Sequence, residues 1–299
     1  MKKRVIALGF FDGVHIGHAA LLTCVRARAA ALGVTPAALT FDTHPGGIVS
    51  GNQVPLINSL DGRLDLIRRL HGIEDVIVLP FDEGFRATPW EEFVKALQCD
   101  YGAIHLVCGH DYNFGHRGEG NPARLVAACA ARGMGVDVIE AVTLDGVPVS
   151  STYIRGRLQA GEMETATRFL GHPHTLLGTV RHGYKLGRTL GAPTVNMEIP
   201  AGVVALPRGV YASRVFLADG ELGHFAVTNV GHRPTAHEGG ETTVESYILG
   251  FDGDLYDQEI RVEFYHYIRP EIKFDDLEAL RAQIQADVTA AKRYFLTQA

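Results

Sequence analysis

A chain of 299 residues is long for one domain, so two domains of ordinary size are expected. Hydrophobic residues at 46% and charged residues at 21% give the balance of a soluble protein with substantial cores. A net charge of −6 argues against a nucleic-acid or anionic-membrane surface, either of which needs a basic excess; a local basic pocket for phosphate is compatible with it.

After Met1-Lys2-Lys3-Arg4 the apolar stretch 5–11 stops at Asp12, so no secretory core follows the basic start. Nothing approaches a membrane span. Cys24, Cys99, Cys108 and Cys129 form no CxxC pair and fall among apolar residues, which reads as buried thiols in a reducing compartment, with a cytoplasmic location expected. Short β-rich runs at 4–10, 37–41, 75–80, 104–109 and 136–141 alternate with helical stretches, the first at 17–32. Thr88-Pro89-Trp90-Glu91 carries a threonine cap, a proline at the first helical position and a glutamate three after the cap. Asn121-Pro122 repeats the cap-plus-proline signal. Strands alternating with helices predict a mostly parallel sheet covered on both faces, with ligands at the strands' carboxyl ends.

The pattern changes near Gly171-His172-Pro173-His174. Upstream, 151–170 reads as two short helices broken at Gly161. Downstream, turn signals at Gly183, Gly187, Gly191, Gly220, Gly239-Gly240 and Asp252-Gly253 separate short strands, which predicts a small antiparallel barrel. Leu277, Leu280, Ile284, Val288, Ala291 and Phe295 then form one apolar helical stripe, with Asp275 as its cap.

Two segments carry chemistry. Gly9-Phe10-Phe11-Asp12-Gly13-Val14-His15-Ile16-Gly17-His18 runs from the first strand into the first helix. Its glycines let backbone approach a ligand, and the helix start offers N–H groups and a positive dipole end to phosphate. His15 and His18, three apart, can donate to phosphate oxygens from one side; ordinary polar residues or metal ligands are the alternatives. This is the HxGH signature of the nucleotidyltransferase superfamily. The second segment, 178–196, has several glycines, basic residues and Pro193-Thr194-Val195-Asn196. It is neither a P-loop nor a protein-kinase glycine loop, because both spacings are absent.

The longer form 11–18, together with Thr40-Phe41-Asp42-Thr43-His44-Pro45, Gly109-His110-Asp111-Tyr112-Asn113-Phe114-Gly115 and Ser150-Ser151-Thr152-Tyr153-Ile154-Arg155, resembles the adenylyltransferase half of prokaryotic FAD synthetases. Residues 178–196 resemble the ATP-binding stretch of riboflavin kinases, whose usual Pro-Thr-Ala-Asn stands here as Pro-Thr-Val-Asn. The likeness continues at Gly209-Val210-Tyr211-Ala212, Thr228-Asn229-Val230-Gly231, Val244-Glu245, Asp252-Gly253-Asp254-Leu255-Tyr256 and Ile268-Arg269-Pro270. Gly250 and Asp257 depart from it, standing where the family more often has aspartate and glycine; this puts local hairpin geometry in doubt.

The resemblance implies an α/β chain: a Rossmann-like nucleotidyltransferase domain over 1–172, then a small antiparallel β-barrel riboflavin kinase domain with a C-terminal helix over 173–299. It implies phosphorylation of riboflavin to FMN, then adenylylation to FAD with release of pyrophosphate. The alternative is a riboflavin kinase whose first half is degenerate; a third reading is a flavin-sensing regulator. For adenylylation, ATP would be held by Gly9, Phe11, Asp12, Gly13, His15, Gly17, His18, Ser151, Thr152 and Arg155, and flavin by Asp111 and Asn113. His15, His18 and Arg155 would stabilise transition-state charge. For the kinase, Gly183, Lys185, Gly187, Arg188, Gly191, Pro193, Thr194 and Asn196 would hold ATP, Arg269 the flavin, and Thr194 with Asn196 a Mg2+ ion. Glu245 would be the general base, because a ribityl hydroxyl is a poor nucleophile at neutral pH. ATP, riboflavin, FMN and FAD are the expected substrates or products, with no nucleic-acid or membrane partner; self-association stays open.

Overall fold

Four consecutive residues of the first strand, Val5 to Leu8, are buried, as expected of a strand covered on both faces. The computed structural model describes residues 1–50, 54–181, 194–217, 220, 222–233 and 241–297. Two units emerge from its contacts: Met1–Val54 with Arg63–Ser150, and Pro55–Gly62 with Ser151–Ala299.

In the first unit, β1 (Arg4–Leu8), α1 (Ile16–Leu32), β2 (Thr35–Phe41), α2 (Pro45–Ser50), α3 (Leu60–His71) and β3 (Asp75–Leu79) come first. Then follow α4 (Glu83–Arg86), α5 (Trp90–Cys99), β4 (Ala103–Gly109), α6 (Pro122–Ala131), β5 (Gly135–Ile139) and a ribbon of β6 (Thr143–Leu144) and β7 (Val147–Pro148). The main sheet has order β3-β2-β1-β4-β5, every pair parallel. Side chains alternate across it. Ile6 and Leu8 join α5 and α6 through Phe93, Val94, Leu97, Leu125 and Cys129. Val5 and Ala7 face the other way, onto Leu22 and Val25 of α1 and Leu66 and Ile67 of α3. The strand order reverses direction at β1, so the loops after β1 and β4 flank the switch point where such sheets bind ligands.

The second unit opens with α7 (Ser151–Gln159) and α8 (Met163–Leu170), separated at Gly161 with φ 75°. Six strands follow: β8 (His174–Thr179), β9 (Thr194–Glu198), β10 (Gly209–Leu217), β11 (His224–Arg233), β12 (Glu241–Ile248) and β13 (Glu259–Pro270). Their order is β8-β13-β10-β11-β12-β9, antiparallel throughout. A bridge between Arg181 and Asn196 draws the two edges together, giving the curled sheet expected of a small barrel. Helix α9 (Leu277–Thr297) packs Val288, Ala291 and Phe295 against β10 and β11. Among the described residues, no helix is long and apolar enough to cross a membrane.

Three local expectations need correction. Helix α5 is capped by Pro89, not Thr88: the Thr88 hydroxyl donates back to the Gly84 carbonyl, and the Thr88 carbonyl accepts from His116 N–H. Asp276, not Asp275, accepts the Ala279 N–H at the start of α9. Of the four cysteines only Cys108 and Cys129 are buried, their thiols pushed up to about 11, chiefly by loss of water; Cys24 is half-buried and Cys99, at the end of α5, is exposed. The departures at 250 and 257 also have a structural reading. Both residues have positive φ, 70° and 59°, and Asp257 tolerates that backbone while its N–H reaches the Val180 carbonyl.

Candidate active sites

The loop after β1 is strained. Phe11, Gly13 and Val14 all have positive φ, at 59°, 79° and 41°, and for a β-branched residue such as Val14 this is costly. The turn delivers His15 as the N-cap of α1, its Nδ1 accepting the His18 N–H at 3.3 Å. An imidazole that accepts at Nδ1 carries its proton at Nε2 when neutral, so the cap fixes the His15 tautomer. The two imidazoles stack with centroids 3.6 Å apart, and Phe11 meets His18 edge-on at 5.2 Å. Gly17 makes this arrangement possible: a Cβ there would stand 3.1 Å from the His15 ring. Gly9 does the same for the Phe11 ring, at 3.0 Å.

His18 is held neutral. Its pKa lies well below the ordinary imidazole value because the ring is removed from water, and next because His15, Arg63 and His71 would oppose a second positive charge. Its Nδ1 is buried with no hydrogen-bond partner among the described residues, an orphaned atom at a helix start. Neutral imidazoles and N-terminal N–H groups can stabilise charge growing on phosphate oxygens. The buried Asp12 lies in the same turn. Across the switch point, Asp111 and Asn113 follow β4, with the Asn113 amide donating to the Asp111 carbonyl. Ser151, Thr152 and Arg155 belong to α7 of the second unit, where Arg155 donates to the Thr152 hydroxyl at 3.1 Å.

In the second unit a single transverse row organises the other site. Register pairs Arg269 with Val210, Val210 with Asn229, Asn229 with Glu245 and Glu245 with Asn196, across β13, β10, β11, β12 and β9. Directly opposed residues share one face of a sheet, so the row is contiguous. Most of it lines a cleft of about 240 Å³, whose far wall is Ile272, Phe274, Leu280 and Ile284. Its lining mixes apolar and polar side chains, as ligand sites commonly do. Glu245 is half-buried at this cleft rather than a solvated outward residue, and Thr194 lines it too.

Asn196 Oδ1 is buried with no partner among the described residues. A hard carbonyl oxygen in that state, two residues along β9 from the Thr194 hydroxyl, fits a Mg2+ ion. Arg269 lies in the cleft wall, but its guanidinium is held by Asp287 of α9 through two bonds of 2.8 and 2.7 Å, and Gln283 adds a third bond to that carboxylate. Gly183, Lys185, Gly187, Arg188, Gly191 and Pro193 lie outside the described residues.

The motif reading misses Arg63, Asn229 and Asp287. Asn229 stands inside a quoted motif, and only register shows that it neighbours Glu245. Asp287 carried a weak signal, a lone acid within the apolar stripe of α9.

Comparison with known proteins gives the class first. Residues 1–153 match the FAD synthetase family and residues 170–295 the riboflavin kinase family, so the chain is an enzyme with two transferase domains. It belongs to the family of bifunctional riboflavin kinase/FMN adenylyltransferases. The member from Pseudomonas fluorescens is 38% identical over 96% of this chain and 92% of its own length. That from Listeria monocytogenes is 34% identical, covering 98% and 93%. Among solved structures, a Streptococcus pneumoniae protein described as a macrolide-efflux protein superposes with a TM-score of 0.84 at 28% identity, over 97% of this chain and 94% of that one.

Proposed function

We propose that this chain phosphorylates riboflavin with ATP to give FMN and adenylylates FMN with a second ATP to give FAD and pyrophosphate. The observation that carries the reading is the row through Glu245, which sets a carboxylate between two asparagines on the wall of a half-apolar cleft. Glu245 takes the ribityl proton as the hydroxyl attacks the γ-phosphorus. The flavin ring lies against Ile272, Phe274, Leu280 and Ile284. Thr194 and Asn196 would hold Mg2+, which would supply positive charge to neutralise the phosphates.

The adenylylation step needs no general base, because the FMN phosphate is already largely ionised near neutrality. His15 and His18 donate to the phosphates, with Arg155 as a further cation, and catalysis is positioning plus charge stabilisation. Adenylylation of FMN is assigned to 1–172 and phosphorylation of riboflavin to 173–299, in the cytoplasm. Incubating the full chain with riboflavin and Mg-ATP, then separating the flavins, tests all of this. FMN followed by FAD is expected. FMN alone would leave a kinase with a degenerate first half, and neither product would end the reading.

A further inference from the structure

Arg63 of α3 is completely buried, with relative exposure of 0%, directly behind the strained loop after β1. Buried arginines are rare; here both guanidinium arms are matched, while Nε is buried with no hydrogen-bond partner among the described residues. One arm, Nη1, donates to the Phe10 carbonyl at 2.6 Å and to the Thr40 hydroxyl at 3.3 Å. The other, Nη2, donates to the Phe41 carbonyl at 2.9 Å. The guanidinium lies 3.8 Å above the Phe10 ring, and the Thr40 hydroxyl itself donates to the Phe10 carbonyl at 2.9 Å. The ends of β1 and β2 are thus tied together by one side chain, at the residue just before the left-handed Phe11.

Charge gives the contact a second consequence. Burial lowers the Arg63 pKa to about 10, while Asp12 and Asp42 support its charge, so it remains a cation at neutral pH. That cation is one of the charges that oppose protonation of His18. No hydrogen bond joins it to His18 among the described residues, so its influence there is through space.

We propose that Arg63 is a positioning residue of the adenylylation site, which locks the phosphate loop and places a fixed positive charge behind His18. This rests on the adenylyltransferase reading given above. Being permanent and planar, the guanidinium does two jobs that lysine cannot combine, since an ammonium lacks the fork that spans both strand ends.

The test uses the full-length enzyme with Arg63→Met and Arg63→Lys. Arg63→Met should lower turnover for FAD formation from FMN and ATP by about a hundredfold, the scale of a mispositioned loop, with FMN formation from riboflavin unchanged. Arg63→Lys should recover part of that loss. An NMR titration of the His18 ring separates positioning from mere support of the fold. His18 should titrate at higher pH in Arg63→Met and stay near wild type in Arg63→Lys. Full adenylylation by Arg63→Met, equal loss of both activities, or an unmoved His18 titration would each overturn the proposal. If the wild-type chain makes no FAD, the functional reading fails by itself, and the His18 titration still decides whether Arg63 acts on that ring.

Discussion

Asn196 and Glu245 are directly opposed on β9 and β12, so a buried carbonyl oxygen and a carboxylate share one patch of the curled sheet. Cross-strand partners have Cβ atoms about 5 Å apart, so a side chain that would hold a metal ion stands beside the proposed proton acceptor. Glu245→Gln keeps the size and hydrogen bonding of the side chain but cannot accept the proton. Turnover for FMN synthesis should fall by about a hundred- to ten-thousandfold with riboflavin and ATP affinity nearly unchanged, and FAD synthesis from supplied FMN should survive. Turnover and riboflavin affinity must be measured in the same variant. Retained turnover would make Glu245 a bystander, and affinity that collapses with turnover would make it a binding residue.

The first site predicts the opposite pattern. His15→Ala combined with His18→Ala should reduce FAD formation by at least about a hundredfold while FMN formation stays near normal. Gly17→Ala should lower FAD formation more mildly with both histidines present, because its methyl would crowd the His15 ring at 3.1 Å and push it from the cap. Product ratios from one reaction mixture read this out. Equal damage to both activities would mean that the stacked rings support the fold instead.

Much of this was legible in the sequence, and the failures have physical causes. The parallel sheet was readable because strands such as β1 and β4 are short continuous apolar runs between strong helix starts, and two histidines at a glycine-flanked helix start have few other uses. Residues 55–62 were not. They belong to the second unit, where Leu56 exchanges backbone bonds with Gly202 and Val204, and the buried Asn58 donates to the Thr175 carbonyl. No local pattern announces partners more than a hundred residues away. Arg63 was missed for a related reason: on a helix with an arginine-rich end, one more arginine reads as solvated until its burial is seen. Thr88 shows a subtler limit, since proline can itself occupy the cap position and leave the threonine to bond backwards.

The Arg269–Asp287 pair should be tested as a clamp on α9. Asp287 is 3% exposed and accepts two bonds from Arg269 and one from Gln283. Arg269 is only partly buried, but removing Asp287 still strands its charge and leaves two donors without their acceptor. Asp287→Ala should therefore lower the thermal midpoint and weaken riboflavin binding, since Leu280 and Ile284 on the same helix wall the cleft. The double variant with Arg269→Met should recover part of the stability. Calorimetry alongside flavin titration distinguishes this from direct flavin recognition, in which Arg269→Met alone would lose affinity without loss of stability.

His174 gives the chain a predictable sensitivity to acid. The ring is fully buried on β8 near Phe264, and neither nitrogen has a hydrogen-bond partner among the described residues. Burial, with a smaller contribution from His172, lowers its pKa from 6.5 to about 3. In the unfolded chain it titrates near 6.5, so below that pH the unfolded state takes up a proton that the folded state refuses. Stability must therefore fall as pH drops from 6.5 towards 3 and level off below. The window is worth on the order of 5 kcal/mol, at 1.36 kcal/mol per pH unit. Well above pH 6.5 the group is uncharged in both states and contributes nothing to the slope. His174→Leu removes the titration and an unmatched polar ring together, so it should be neutral or mildly stabilising at pH 7 and clearly stabilising at pH 4.5 to 5. Denaturant unfolding of both proteins across pH 4 to 8 gives the comparison. Parallel stability curves would show that His174 is protonated without penalty, and that the acid sensitivity of the chain lies elsewhere.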